Sequence, residues 1–505
     1  MSDSGMKMKK KKQSPPIDEP IDSRQYFLAD QERFADLSGD FNPVHLDSAA
    51  ARREIFGEVV VHGVHTLLRA LDAFSARLQR DGVQGIVLHE LAVKFPNAIG
   101  MGQQVETFVE GTSDYGARLT ARAGGLSVLN AELSWVAAAR SDESRIPAAP
   151  AAFQTRSPGA RPAPANPTLA ELPGLEGNIE LYAAPDLVGR DFPSLVALLG
   201  LTAVSELLAL TRLVGMEAPG LRSTLSGFRV EFRAPASEIP ALGWKVCTTD
   251  PRFSLVKLEL SGPSIHGEVD TFRRPEPQQQ PGMQEVGKVV RPGEFEGQCA
   301  LVIGGSRGLG EVTARIVAAG GGRVLVTYYR GGDDAEALAE ECRRVAGAGE
   351  SLAFDSADPE PALAALHASG VTPTHIYYFA SPKIFVSKPI GFNTALFETF
   401  AQSYVHGFAA LHQSLRSLWQ EQLTIFYPST TALDKPERQL AEYSAAKAAG
   451  EVLCAQFDRF DKRLRVVVNR LPRTATDQTL TLGPYPAASG LDVMLPIVRD
   501  LHRGV

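Results

Sequence analysis

Three stretches of the chain carry different hydrophobic rhythms. Over residues 23–145 a helical stretch, a loop and a second helical stretch precede alternating runs that predict strands at 85–95, 104–110, 117–123 and 127–137. Residues 177–274 repeat that layout. A long apolar helical run from Pro193 to Val214 precedes predicted strands at 224–232, 244–248, 255–260 and 267–272. One long helix followed by a strand meander, twice over, predicts an internal duplication, although no sequence identity between the halves is visible. From Phe295 the rhythm changes. Short apolar strands at Ala300–Ile303, Arg323–Thr327, His375–Phe379, Leu423–Tyr427 and Leu464–Asn469 alternate with helical segments. That alternation implies a parallel sheet with helices on both faces.

The 505 residues are too many for one core. Residues 1–22 hold a basic run, Lys7 and Lys9 to Lys12, and are expected to be a disordered tail. Two Pro-rich linkers, 146–176 and 275–294, separate units at 23–145, 177–274 and 295–505. A net charge of −7 gives no reason to expect nucleic acid. No apolar run reads as long enough to span a bilayer, and the N-terminus lacks the apolar core of a secretory signal. Cys247, Cys299, Cys342 and Cys454 are scattered, with neither metal-ligand spacing nor a disulfide framework. Free thiols in a reducing, cytoplasmic setting and no bound metal are the expectation.

Two places concentrate chemistry. Residues 38–47 read Ser-Gly-Asp-Phe-Asn-Pro-Val-His-Leu-Asp, which sets Asp40 and His45 five apart on a Gly/Asn/Pro loop. Adding water to a double bond beside a thioester, or removing it, needs such a pair. One group orients and deprotonates water; the other handles the proton at Cα. Histidine titrates near neutrality, and a partly desolvated Asp can be tuned toward it. The enolate also needs a donor, and the backbone N–H of Gly63, in Val61-His62-Gly63, is the best candidate. A lone Asp and His on a loop are more often a helix cap and a surface residue.

The intact Ser-Gly-Asp-x-Asn-Pro-x-His at 38–45, with Ala49 to Phe56-Gly57 and Val61-His62-Gly63, makes residues 25–137 resemble the MaoC-like, (R)-specific enoyl-thioester hydratases. The resemblance implies a hotdog fold, Asp40 and His45 as the catalytic pair, and Asn42 shaping the loop. It also implies that 177–274, which lacks the motif, is a second hotdog that completes the acyl tunnel without chemistry. Core packing is the reading for its Leu/Ala/Val helix.

The second place is Val302-Ile-Gly-Gly-Ser-Arg-Gly-Leu-Gly, after a strand and before a helix. Gly304, Gly308 and Gly310, with the backbone of Ser306 and Leu309, can cradle a pyrophosphate at a helix N-terminus. Arg307 lies in the loop and Arg330 just after the next strand, which no acid closes. Two arginines there suit a 2′-phosphate, hence NADPH (NADP) over NADH. Asp355 could meet the adenine or simply cap a loop. Tyr443 and Lys447 are four apart on one helical face, where the ammonium would lower the phenol's pKa. Ser429 or Thr430 could bind a carbonyl. These features make 295–505 resemble the short-chain dehydrogenase/reductases, particularly ketoacyl-thioester reductases. The resemblance implies Tyr443 as proton donor and Lys447 as its partner. Three departures stand against it: Phe379-Ala380-Ser381 for the usual Asn-Ala-Gly, Tyr404 for a helical Asn, and Pro472-Arg473 for Pro-Gly.

The sequence therefore predicts an α+β double hotdog followed by an α/β Rossmann domain with a doubly wound parallel sheet. The predicted chemistry is NADPH-dependent reduction of a 3-oxoacyl thioester, on CoA or acyl carrier protein, then dehydration to the trans-2-enoyl product. The alternatives are the reverse order in degradation and a C-terminal nucleotide-binding scaffold. A homo-oligomer, dimer or tetramer through the reductase domain, is the expected assembly.

Overall fold

The computed structural model describes residues 19–83, 85–137, 161–181, 185–234, 241–388, 391–483 and 485–504. The basic run and the first part of the 146–176 linker lie outside them. The chain forms two compact units, Met1–Ala51 with Glu58–Arg274, and Arg52–Gly57 with Pro275–Val505.

The first unit is built on one ten-stranded sheet. Its strands are β1 (Asp22–Gln25), β2 (Ile86–Lys94), β3 (Gln104–Ser113), β4 (Gly116–Ala123), β5 (Leu126–Ala137), β6 (Glu176–Glu180), β7 (Ser223–Phe232), β8 (Ala241–Asp250), β9 (Leu255–Ser261) and β10 (Ile265–Arg273). From one edge the order is β1-β3-β4-β5-β2, and from the other β6-β8-β9-β10-β7. The two halves thus share one topology, the physical form of the duplicated layout. They join where β2 pairs antiparallel with β7, from Glu90 opposite Glu231 to Lys94 opposite Gly227. The edge strands β1 and β6, four and five residues long, were not predicted; runs so short carry almost no periodic signal.

A long helix follows the first strand of each half. Gly63–Arg80 buries Val64, Leu67, Leu68, Leu71 and Phe74, the i, i+3, i+4, i+7 stripe of an amphipathic helix. Pro193–Arg212 breaks at Gly200 and buries every residue from Ala203 to Thr211. It runs on into a π-type turn, Leu213–Glu217. Here one expectation fails. Pro193–Glu217, 25 residues, is long and apolar enough to span a bilayer by length and composition. A helix buried on most sides has no need of a polar face, and this one packs into the apolar cluster shared by both halves.

Among the described residues the second unit carries six strands: β11 (Cys299–Ile303), β12 (Arg323–Tyr328), β13 (Gly349–Ala353), β14 (His375–Tyr378), β15 (Leu423–Thr430) and β16 (Leu464–Leu471). All pair parallel, in the order β13-β12-β11-β14-β15-β16. Strand order reverses between β11 and β14, where ligands of such sheets bind. Alternate β11 residues serve different cores, Ala300 and Val302 on one face and Leu301 and Ile303 on the other. Strand β13, absent from the prediction, lies at the sheet edge.

Candidate active sites

The helix Leu28–Ser38 ends at Gly39, and the next six residues form the first site. Asn42 Oδ1 accepts from the Val44 N–H (3.2 Å) and caps the short turn Pro43–His45. Its Nδ2 donates to the carbonyls of Gly215 (2.9 Å) and Gly220 (3.1 Å), so one side chain sews the loop to the second half. Asp40 is buried. Its Oδ2 accepts from the Thr211 hydroxyl (2.7 Å) and its Oδ1 from the Asn42 N–H (3.2 Å). Gly215 lies against this carboxylate so closely that a methyl group there would overlap it. The Phe41 N–H points at Met216 Sδ (3.2 Å).

His45 Nδ1 lies 2.7 Å from the Val60 carbonyl oxygen. A carbonyl only accepts, so Nδ1 carries the proton and Nε2 is the free lone pair. The His45 ring stacks on His62, centroids 3.8 Å apart. One Asp40 carboxylate oxygen and one ring nitrogen each of His45 and His62 lie within 4.8 Å of one another. Burial pushes Asp40 up to about 6, opposed by the hydrogen bonds from Thr211 and Asn42. Burial pulls His45 down to about 4, opposed by its bond to Val60. Near neutral pH the pair is therefore a carboxylate able to orient a ligand and a neutral imidazole able to accept a proton. Gly63 is the first residue of its helix, where the backbone N–H has no intrahelical acceptor and faces the positive end of the dipole.

The structure places Asp40, His45 and the Gly63 helix terminus in one neighbourhood. It also corrects the reading of the second half's long helix as core packing alone, because its Thr211 donates to the Asp40 carboxylate. His62 was missed as well. Its signal was a histidine just before the glycine that opens an apolar helix.

In the second unit the glycine turn joins β11 to the helix Gly308–Ala319 at the strand-order reversal. A Cβ on Gly310 would collide with the Gly304 carbonyl, so only glycine lets this helix start so near the strand. Leu309 packs toward the apolar core and leaves only its backbone to the turn. A Cβ on Gly331 would stand 3.2 Å from Ser306 Oγ, which places Ser306 beside the end of β12. Arg330, there, is exposed. Arg307 caps the helix, and its guanidinium lies 3.3 Å from Asp477, a neighbour the sequence reading lacked. Burial pushes Asp477 up to about 6 against that pairing. Asp355 is exposed, and its Oδ1 accepts from the Ala357 N–H (2.8 Å), the bond of a loop Asp capping its own turn. The bare glycine turn and open helix start fit a dinucleotide pyrophosphate.

The strand β15 runs to Thr430, and its alternation sends Ser429 and Thr430 to opposite faces. Ser429 Oγ donates to Glu451 (2.5 Å), which Arg470 also holds (2.7 Å). Thr430 is the hydroxyl whose interaction draws the Tyr443 phenol down against burial. Of the two candidate hydroxyls, that of Ser429 is thus committed to Glu451, while that of Thr430 accepts from the Ala432 N–H (3.1 Å) and interacts with Tyr443. The expected Lys447 effect on Tyr443 fails. Burial pushes the phenol up to about 12, with the Thr430 bond opposing. The Lys447 ammonium instead donates to the Pro428 carbonyl (2.7 Å) and stands 3.9 Å from the centre of the Tyr404 ring. Its own burial pulls it down to about 7. Tyr404 sits in a π-type turn, Gln402–His406, with its hydroxyl 2.6 Å from Ser381 Oγ. Two of the three departures from the reductase pattern therefore partner each other, and Tyr404 presents Lys447 with a ring face rather than a hydroxyl.

Residues 8–123 match the family described as MaoC like domain. An (R)-specific enoyl-CoA hydratase of Aeromonas caviae is 37% identical over 92 residues, 18% of this chain and 66% of that protein. The chain thus spans just under two thirds of that curated relative. Among solved structures, a short chain dehydrogenase from Shigella flexneri is 18% identical, with 43% of this chain and 90% of that one covered and a TM-score of 0.38. An angucycline C-6 ketoreductase with bound NADP is 21% identical, with 42% and 91% covered and a TM-score of 0.36.

Proposed function

We propose that this chain, whose N-terminal part carries a MaoC-like domain, is a bifunctional acyl-thioester enzyme. One site hydrates or dehydrates the bond between C2 and C3. The other reduces a 3-oxoacyl thioester to the (R)-3-hydroxyacyl form with NADPH. The observation that carries the first half is the Asp40–His45 pair, with its carboxylate fixed by Thr211 and its imidazole tautomer fixed by Val60.

In the hydration direction, Asp40 accepts a hydrogen bond from water and orients it. His45 Nε2 takes the other proton as the oxygen bonds to C3. The enolate charge collects on the thioester oxygen, opposite the Gly63 N–H, and the proton passes from His45 to C2. Dehydration reverses these steps. In the second unit, a bound nicotinamide nucleotide supplies the hydride. Thr430 donates to the 3-oxo oxygen, Tyr443 gives that oxygen its proton, and Lys447, one turn on, replaces the proton through water. A second reading, nucleotide binding without turnover, is favoured by one observation: Lys447 is turned to Pro428 and Tyr404 rather than to Tyr443.

The test uses the purified full chain. It should convert trans-2-enoyl-CoA to (R)-3-hydroxyacyl-CoA without nucleotide, and oxidise NADPH in preference to NADH with 3-oxoacyl thioesters. Products of S configuration, or no conversion across chain lengths, would sink the hydratase reading. NADPH binding without oxidation would select the second reading for the C-terminal unit.

A pH prediction follows from Thr211. The Thr211→Val variant keeps the side-chain shape and removes a donor that favours the ionised carboxylate. Activity requires ionised Asp40, so the acid limb of kcat/KM for hydration should move to higher pH. A limb that stays put would take Thr211 out of the site.

A further inference from the structure

His62 is fully buried at the start of the Gly63–Arg80 helix, and both ring nitrogens face oxygen. Nδ1 lies 2.9 Å from Gln31 Oε1. Nε2 lies 3.2 Å from the Asp40 carbonyl oxygen and 3.9 Å from Asp40 Oδ2. The Gln31 amide cannot be turned to relieve this. Its Oε1 also accepts the His62 backbone N–H (3.0 Å), and its Nε2 faces His65 Nδ1 (3.4 Å).

A neutral imidazole has one N–H and one lone pair. Either neutral tautomer would therefore press a buried lone pair against an oxygen lone pair, at Gln31 or at Asp40. Only the imidazolium donates on both sides. The Asp40 carboxylate is already arranged as an anion, with Thr211 and Asn42 each donating to a different oxygen. We propose that His62 is a positioning residue held as the imidazolium counter-charge of Asp40, leaving neutral His45 as the base of the site.

The titratable neighbours are few. Asp40 faces the ring from the preceding loop, His45 stacks on it from the Pro43–His45 turn, and His65 lies one turn along the same helix. The Arg274 guanidinium adds its field at His45. Burial first, then the neighbouring imidazoles, pull His62 well below the ordinary imidazole value, opposed by the bond to the Asp40 carbonyl; by geometry the Asp40 carboxylate at 3.9 Å and the Gln31 oxygen at 2.9 Å favour the charged ring. Those acceptors decide the matter, because they leave no neutral arrangement without a buried clash of lone pairs. A charge on His62 also forbids one on the stacked His45, so the two rings take different roles through one contact.

The test reads the proton directly. Full-length protein with 15N-labelled histidine is examined at pH 8 by long-range proton–nitrogen correlation of the ring nitrogens. One histidine should show both nitrogens protonated, and the His62→Gln variant should lose that signal. A second variant, Gln31→Leu, keeps the ring and removes the Nδ1 acceptor; it too should lose full protonation at pH 8. A wild-type spectrum in which every ring is neutral, a signature that survives His62→Gln, or one undiminished in Gln31→Leu would each overturn the proposal. A kinetic arm rests on the hydratase reading. There His62→Gln should raise the acid limb of hydration by about one pH unit, a tenfold gain in the proton affinity of Asp40; a purely structural role would lower stability and leave the limb in place. Absence of hydration in the wild-type protein would sink that reading, while the spectra still decide the charge on His62.

Discussion

Asp40→Asn should lower enoyl-thioester hydration by at least about 100-fold, equivalent to some 2.7 kcal/mol of lost transition-state stabilisation. The variant is close to isosteric; its oxygen can still accept from the Asn42 N–H and its NH2 can donate to the Thr211 hydroxyl oxygen, so the loop retains its shape. What it loses is the negative charge that orients the water. His45→Ala should fall at least as far, because it removes the lone pair that takes the proton and no other described group offers one in that tautomer. Both residues belong to the first unit, so the NADPH oxidation proposed for the second should persist at the wild-type rate. Steady-state rates for both reactions on each variant, with thermal melting to verify folding, make the check. Hydration within a few fold of wild type in both folded variants would move the active site elsewhere.

The chemistry that was readable in the sequence is the part that is contiguous. Asp40, Asn42 and His45 lie within six residues, and the glycine turn within seven, so local spacing alone brings them together. The groups that finish the first site are not local. Thr211 reaches Asp40 across 171 residues and Gly215 reaches Asn42 across 173, because β2 pairs with β7 and lays the second half against the first. No periodicity in one segment reports that closure. The apolar run from Pro193 misleads for a related reason: burial on most sides removes the polar face that would have marked Thr211 as different from its neighbours. In the C-terminal unit, alternation fixed five of six strands, and the edge strand β13 escaped. The Tyr443–Lys447 spacing placed both on one helical face but could not show where an ammonium points. That depends on Tyr404 and Tyr427, whose rings lie 3.9 and 4.7 Å from Nζ, and on the Pro428 carbonyl.

Tyr443→Phe should abolish NADPH-dependent reduction, by roughly 1000-fold or more, with nucleotide binding and hydration unchanged. The phenol is buried beside Thr430 at the end of β15, and without its proton the developing alkoxide has no acid to protonate it. Thr430→Val should cost nearly as much, since in the proposed mechanism Thr430, beside the phenol, holds the 3-oxo oxygen. Ser429→Ala is the discriminating control. Its hydroxyl is committed to Glu451, which Arg470 also holds, so its loss should change kcat by only a few fold. The order of effects carries the argument, because a general loss of packing would treat the adjacent residues alike. If Ser429→Ala were the damaging change and Thr430→Val the mild one, the carbonyl ligand would be misassigned. If wild-type protein bound NADPH but reduced no 3-oxoacyl thioester on CoA or carrier protein, the turned-away Lys447 would be the reason to read this unit as a binding scaffold.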